Sequence, residues 1–170
     1  MKPLTIFRIL SFILIPIAAF FALLVIFMLI NALVNPAFLL IVFMVACFVI
    51  YTFASLRFLT QHIDTGRPSK PSLKDWIKVN AYISLFIGTM ILMNSITILA
   101  SSDSSLRQIA GQMLETQPNV PVSLTPEFFI KAMKIAAYFM LFMGIILVYH
   151  IFLNFRLLKL YAHLFGKQEE

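Results

Sequence analysis

Four uncharged apolar runs, each long enough to cross a lipid bilayer, constrain this chain more than any other feature. A hydrocarbon core about 30 Å thick takes about 20 residues of helix. The runs cover residues 9–34, 36–56, 79–100 and 135–155. Helix is the conformation to expect, because an unpaired strand edge in lipid costs several kcal/mol per group and the runs lack the alternation of a barrel. Composition agrees: 61% of the residues are apolar and only 12% charged, where a water-facing domain is near one half and one quarter. That balance excludes disorder and a disulfide scaffold. The expectation is an all-α membrane protein. Its fold would be one integral membrane domain over residues 1–170, an antiparallel bundle of four transmembrane helices.

The first run has basic residues before it, as a signal peptide does, but its 26 uncharged residues exceed the roughly 7–15 of a secretory apolar region. It is therefore read as a retained span. Pro16 lies inside it and removes one backbone donor. Asn35-Pro36 then supplies a capping side chain and a proline, so the first two spans form a tight hairpin.

The connection 57–78 is polar and basic, with a turn-rich centre from Thr65 to Pro71. Ser72 with Asp75 three residues on has the spacing of a helix start, and Trp76 falls where an interfacial aromatic belongs. Ten of the thirteen Lys and Arg lie at the N-terminus, in this connection and in the C-terminal tail. The positive-inside rule then puts both termini and loop 57–78 in the cytoplasm, in the plasma membrane, with loop 101–125 outside. The net charge of +6 is read as this orientation signal and not as a nucleic-acid surface. The basic residues flank apolar runs, and no aromatic and basic platform of the kind that binds single strands lies outside them.

Within the outer loop, Leu106, Ile109, Ala110, Met113 and Leu114 recur at helical spacing. A short amphipathic helix is expected over about 103–116, with Ser105 and Gln108 as its capping pair and Pro118 and Pro121 in a stiff return. Thr125-Pro126-Glu127 reads as the start of the fourth helix. Glu127 is spaced to pair with Lys131, and Lys134 to reach back toward the interface.

The third span is the most polar. Asn80, Ser84, Gly88 and Ser95, with Asn94 adjoining, offer either a close-packing face or a polar path for a solute. Ala132, Ala136 and Gly144 are the small residues of the fourth span. Small residues four apart allow close helix approach, and polar side chains add interhelical hydrogen bonds. His62, His150 and His163 all fall toward the cytoplasmic side. They are expected at the interface near Arg156 and Lys159, not as a metal or haem site. The lone Cys47 forms no Cys-x-x-Cys pair. His-Glu-x-x-His, Gly-x-Ser-x-Gly and phosphate-cradling glycine loops are absent, and His150 has no evident serine partner. No acid lies inside any run, which a small proton-coupled antiporter would need.

The expectation is a non-catalytic accessory, scaffold or regulatory component working through helix packing, without catalytic residues, metal or cofactor. Its partners would be the bilayer and other membrane subunits or further copies of itself. The alternative is a small-solute permease or channel subunit using the polar face of the third span.

Overall fold

The computed structural model describes residues 3–115 and 125–166, and all of its regular structure is helical. Helix α1 spans Pro3–Val34, α2 Phe38–Arg57, α3 Pro71–Ala100, α4 Asp103–Glu115 and α5 Pro126–Leu160. A π-helical turn, Phe58–Ile63, continues α2, and a 3-10 turn covers Ala162–Phe165. Four of the helices are long and apolar enough to cross a membrane: α1, α2 with its π-helical continuation, α3 and α5.

The helices outrun the apolar stretches. At 1.5 Å per residue the 35 residues of α5 reach roughly 50 Å, well beyond the hydrocarbon core. Apolarity marks where lipid ends, whereas a helix ends where its backbone bonds do. Pro71, which starts α3, and Pro126, which starts α5, sit where a missing N–H costs nothing. Much of the basic connection is therefore helical, leaving only residues 64–70 between the π-helical turn and α3. Gly66 takes a positive φ of 65° there, which glycine adopts without a side-chain clash. Ser69 N–H donates to the Leu164 carbonyl at 2.7 Å, tying this connection to the C-terminal turn.

Burial is inverted relative to a water-soluble protein. Phe12, Phe27, Leu33 and Phe142 are among the many large apolar side chains that point outward, while Ser11, Ser55, Ser84, Ser95, His150 and Asn154 are buried. Apolar side chains lose nothing facing lipid, but a polar group there needs an internal partner.

The chain divides into two compact units. The first comprises Met1–Ile87 with Ile146–Glu170. In it α1 and α2 pack as a helical hairpin whose tip is closed by Asn35, its Oδ1 accepting the Ala37 N–H at 3.1 Å. Phe7, Leu14 and Ala18 of α1, Cys47 and Tyr51 of α2, Ile77 and Ala81 of α3, and Ile151 and Leu157 of α5 make its core. Arg8 pairs with Asp64 across it.

The second unit is Gly88–Ile145. Helix α4 lies in it with Leu106 and Ala110 buried and Ile109 exposed. Two ion pairs hold α4 to the start of α5: Lys134 to Asp103 at 2.6 Å and Arg107 to Glu127 at 2.9 Å. Three expectations change here. The cap of α4 is Ser102, whose Oγ accepts the Ser105 N–H at 3.3 Å, and not Ser105. Glu127 pairs across helices with Arg107 instead of along its own helix with Lys131. Lys134 reaches a carboxylate, Asp103, instead of only the interface. Thr125 caps α5 as expected, accepting the Phe128 N–H at 3.3 Å. Pro118, Pro121 and the side chain of Met113 lie outside the described residues.

Candidate functional site

The strongest concentration of polar chemistry is a buried chain of hydrogen bonds joining α1, α2 and α5 within the first unit. Two of those helices supply their groups as pairs one turn apart, Tyr51 and Ser55 on α2 and His150 and Asn154 on α5. Ser11 comes from α1. His150 Nε2 lies 2.9 Å from Ser11 Oγ and its Nδ1 lies 2.7 Å from the Tyr51 hydroxyl. Asn154 Nδ2 donates to Ser55 Oγ at 2.7 Å and to the Tyr51 oxygen at 3.4 Å. The Phe7 ring stacks on His150 with centroids 4.5 Å apart and planes 11° from parallel. His150, Tyr51 and Ser55 are completely enclosed.

Proton counting sets the direction of each bond. Ser11 has a single hydroxyl proton, and it goes to the Phe7 carbonyl at 2.8 Å. Ser11 must then accept from His150, so His150 carries its proton on Nε2. Nδ1 is left as an acceptor and takes the Tyr51 proton, and the Tyr51 oxygen accepts from Asn154. The result is one continuous relay, Asn154 to Tyr51 to His150 to Ser11 to the Phe7 carbonyl. One atom stands outside it: among the described residues Asn154 Oδ1 is buried without a partner.

This corrects two expectations for His150. It is an interior residue and not an interfacial one, and it does have a serine partner. The order of groups is that of a hydrolytic triad, but the polarity is opposite. A catalytic histidine accepts the serine proton while an acid accepts from its other nitrogen. Here the histidine donates to the serine, and Tyr51 donates to the histidine. The bonds of the relay join three helices, in a medium where each such bond contributes about 0.6 kcal/mol on average.

The other histidines stand apart. His62 Nδ1 donates to the Arg67 carbonyl at 3.2 Å, and His163 is exposed beside Tyr161, with ring centroids 6.1 Å apart. Among the described residues no three His, Cys, Asp or Glu side chains gather as metal ligands would.

The polar face of α3 divides. Asn80, Ser84, Gly88 and Ser95 are buried, and Asn94 is exposed. The buried polar members bond back to their own helix: Asn80 to the Trp76 carbonyl, Ser84 to that of Asn80 and Ser95 to that of Ile91, each at 2.7 Å. They mask their polarity locally. On α5, Ala136 is exposed and Gly144 buried. A Cβ at Gly144 would stand 2.8 Å from Leu92 Cδ2, so the missing side chain is what lets α3 approach there.

Tyr51, Ser55 and Ser11 escaped the sequence reading because single hydroxyls barely lower the apolarity of a run. The available signal was the pair of one-turn polar spacings, 51/55 and 150/154. The chain matches no family model, no curated protein and no solved structure.

Proposed function

We propose that this chain is a non-catalytic, multi-pass component of the plasma membrane, an accessory, scaffold or regulatory subunit that works through helix packing. Its four long helices form an antiparallel bundle with both termini in the cytoplasm and α4 on the outer side. The single observation that carries this reading is the enclosure of the relay. The side chains best able to do chemistry inside the apolar helices are sealed and bonded to one another, while large apolar surfaces face outward. Burial of Ser84 and Ser95, with their hydroxyls returned to their own helix, further favours packing over a solute path along α3.

Pull-down of the tagged full chain in a gentle detergent tests the proposal. A stoichiometric membrane subunit, or a stable homo-oligomer, is the expected recovery. A monomer alone at every detergent strength overturns it. Tags at the two ends should be protected or accessible together in sealed vesicles; opposite compartments would refute the orientation.

A further inference from the structure

Between α2 and α3, in the first unit, lie two adjoining cavities, both mainly apolar, that share Ile50 and Trp76. The larger, about 760 Å³, is lined by Arg57, His62, Ser69, Lys70 and Ser72 at its polar end. The smaller, about 440 Å³, continues along an apolar wall that includes Phe43, Ala46, Cys47, Val79 and Ile83. Asp75, the acid among the lining residues, lines the smaller cavity with Asn80. Among the described residues neither Arg57 nor Lys70 is paired with a carboxylate; Arg57 donates through Nε to Gln61 at 2.9 Å. From Ile50 to Phe43 the groove descends roughly 10 Å at 1.5 Å per residue, within the roughly 15 Å depth of one leaflet.

We infer that this groove holds one anionic phospholipid, its phosphate against Arg57 and Lys70 and an acyl chain laid between α2 and α3. Cations at one end and a largely apolar wall at the other match an amphiphile. A free phosphate would leave the apolar half unfilled, and a zwitterionic lipid, though it has the same phosphate, adds an ammonium that two unpaired cations repel. Arg suits the phosphate because its planar fork presents several donors. On the orientation proposed above, the charged end faces the leaflet rich in anionic lipids. The inference rests on the membrane-embedded reading but not on the absence of catalysis.

Trp76 lines both cavities and is the only tryptophan of the chain; because it is also more than half exposed, a preference between lipids, and not quenching by itself, reports the groove. The full chain is reconstituted in phosphatidylcholine and titrated with phosphatidylglycerol brominated on its acyl chains, or with brominated phosphatidylcholine. Quenching by the anionic lipid should occur with roughly fivefold or greater preference, each cation near an anionic surface favouring binding by about that factor. Arg57→Gln with Lys70→Gln should abolish the preference while leaving quenching by phosphatidylcholine intact, which also shows that the variant is inserted. Ala46→Phe should reduce quenching by the anionic lipid, and soluble glycerol phosphate should not compete. Equal quenching by the two lipids in the native chain overturns the lipid site alone, as does a preference surviving the double substitution. Competition by glycerol phosphate overturns the acyl-chain component. Quenching by neither lipid overturns the site together with the membrane reading.

Discussion

Ser11 and His150, 139 positions apart in sequence, meet at 2.9 Å in the interior of the first unit. Their bond joins α1 to α5, and Tyr51 on the other ring nitrogen of His150 adds α2. One imidazole therefore sets the relative register of three helices. In lipid no hydrophobic force pulls those helices together, so directional bonds and close packing carry the specificity.

Because the relay is shared, its members should be energetically coupled. A double-mutant cycle with Ser11→Ala and His150→Phe, measured by detergent-driven unfolding in mixed micelles, should give a coupling near 0.6 kcal/mol and at most about 1.7 kcal/mol. Strict additivity of the two substitutions would show that the contact has no energetic role.

Tyr51 serves two partners, accepting from Asn154 and donating to His150. Tyr51→Phe therefore leaves His150 Nδ1 without its donor and removes the longer of the two Asn154 bonds, Ser55 keeping the other, and should destabilise by about 1–3 kcal/mol. Ser11→Ala should cost less, since His150 then loses one acceptor only. The same unfolding assay ranks them, and a larger loss for Ser11→Ala would contradict the directions assigned to the relay.

Gly144 lets Leu92 approach within 2.9 Å of where a Cβ would stand, counting its Cγ, and closer still at Cδ2. Gly144→Ala should destabilise the second unit by about 1 kcal/mol through overpacking, moderated by the flexibility of the leucine. Adding Leu92→Ala should recover part of that loss relative to Leu92→Ala alone. If Gly144→Ala is stabilising, the close approach does not constrain the helices.

The Lys134 ammonium, by its hydrogen bond first and its charge second, holds the exposed Asp103 carboxyl below its ordinary value, which is about 3.9 for an unperturbed aspartate. A carboxyl with a lowered folded-state pKa favours the docked α4 above its ordinary pKa. That contribution fades as pH falls through the lowered value. Side-chain carboxyl chemical shifts followed against pH should give a midpoint below the ordinary value, moving upward in Lys134→Gln. An unchanged midpoint would mean the ion pair does not persist in solution.

Local features were the legible part of this structure. Thr125-Pro126 marks the start of α5 because capping depends on a few neighbouring residues, whereas Asn35-Pro36 lies in the hairpin turn and α2 starts at Phe38. The same logic misassigned the α4 cap by three positions, since Ser102, Ser104 and Ser105 all qualify by residue type and only backbone geometry selects Ser102. The spacing of Glu127 and Lys131 offered a pair within one helix, but Arg107 arrives from α4 and takes the carboxylate. Tertiary approach outweighs a local spacing rule worth only a few tenths of a kcal/mol.

The amino-acid order establishes that lipid can be the solvent for this chain, how many helices are fit to cross it, and where α4 and α5 begin. Those properties follow from apolar length and terminal residue type, which are written along the chain. Which side of each helix turns inward was decided by the fold. In water an amphipathic stripe reveals the buried face. In these spans both faces are apolar, so the rotation of α1, α2 and α5 that brings Ser11, Tyr51 and His150 together appears only when the helices are packed.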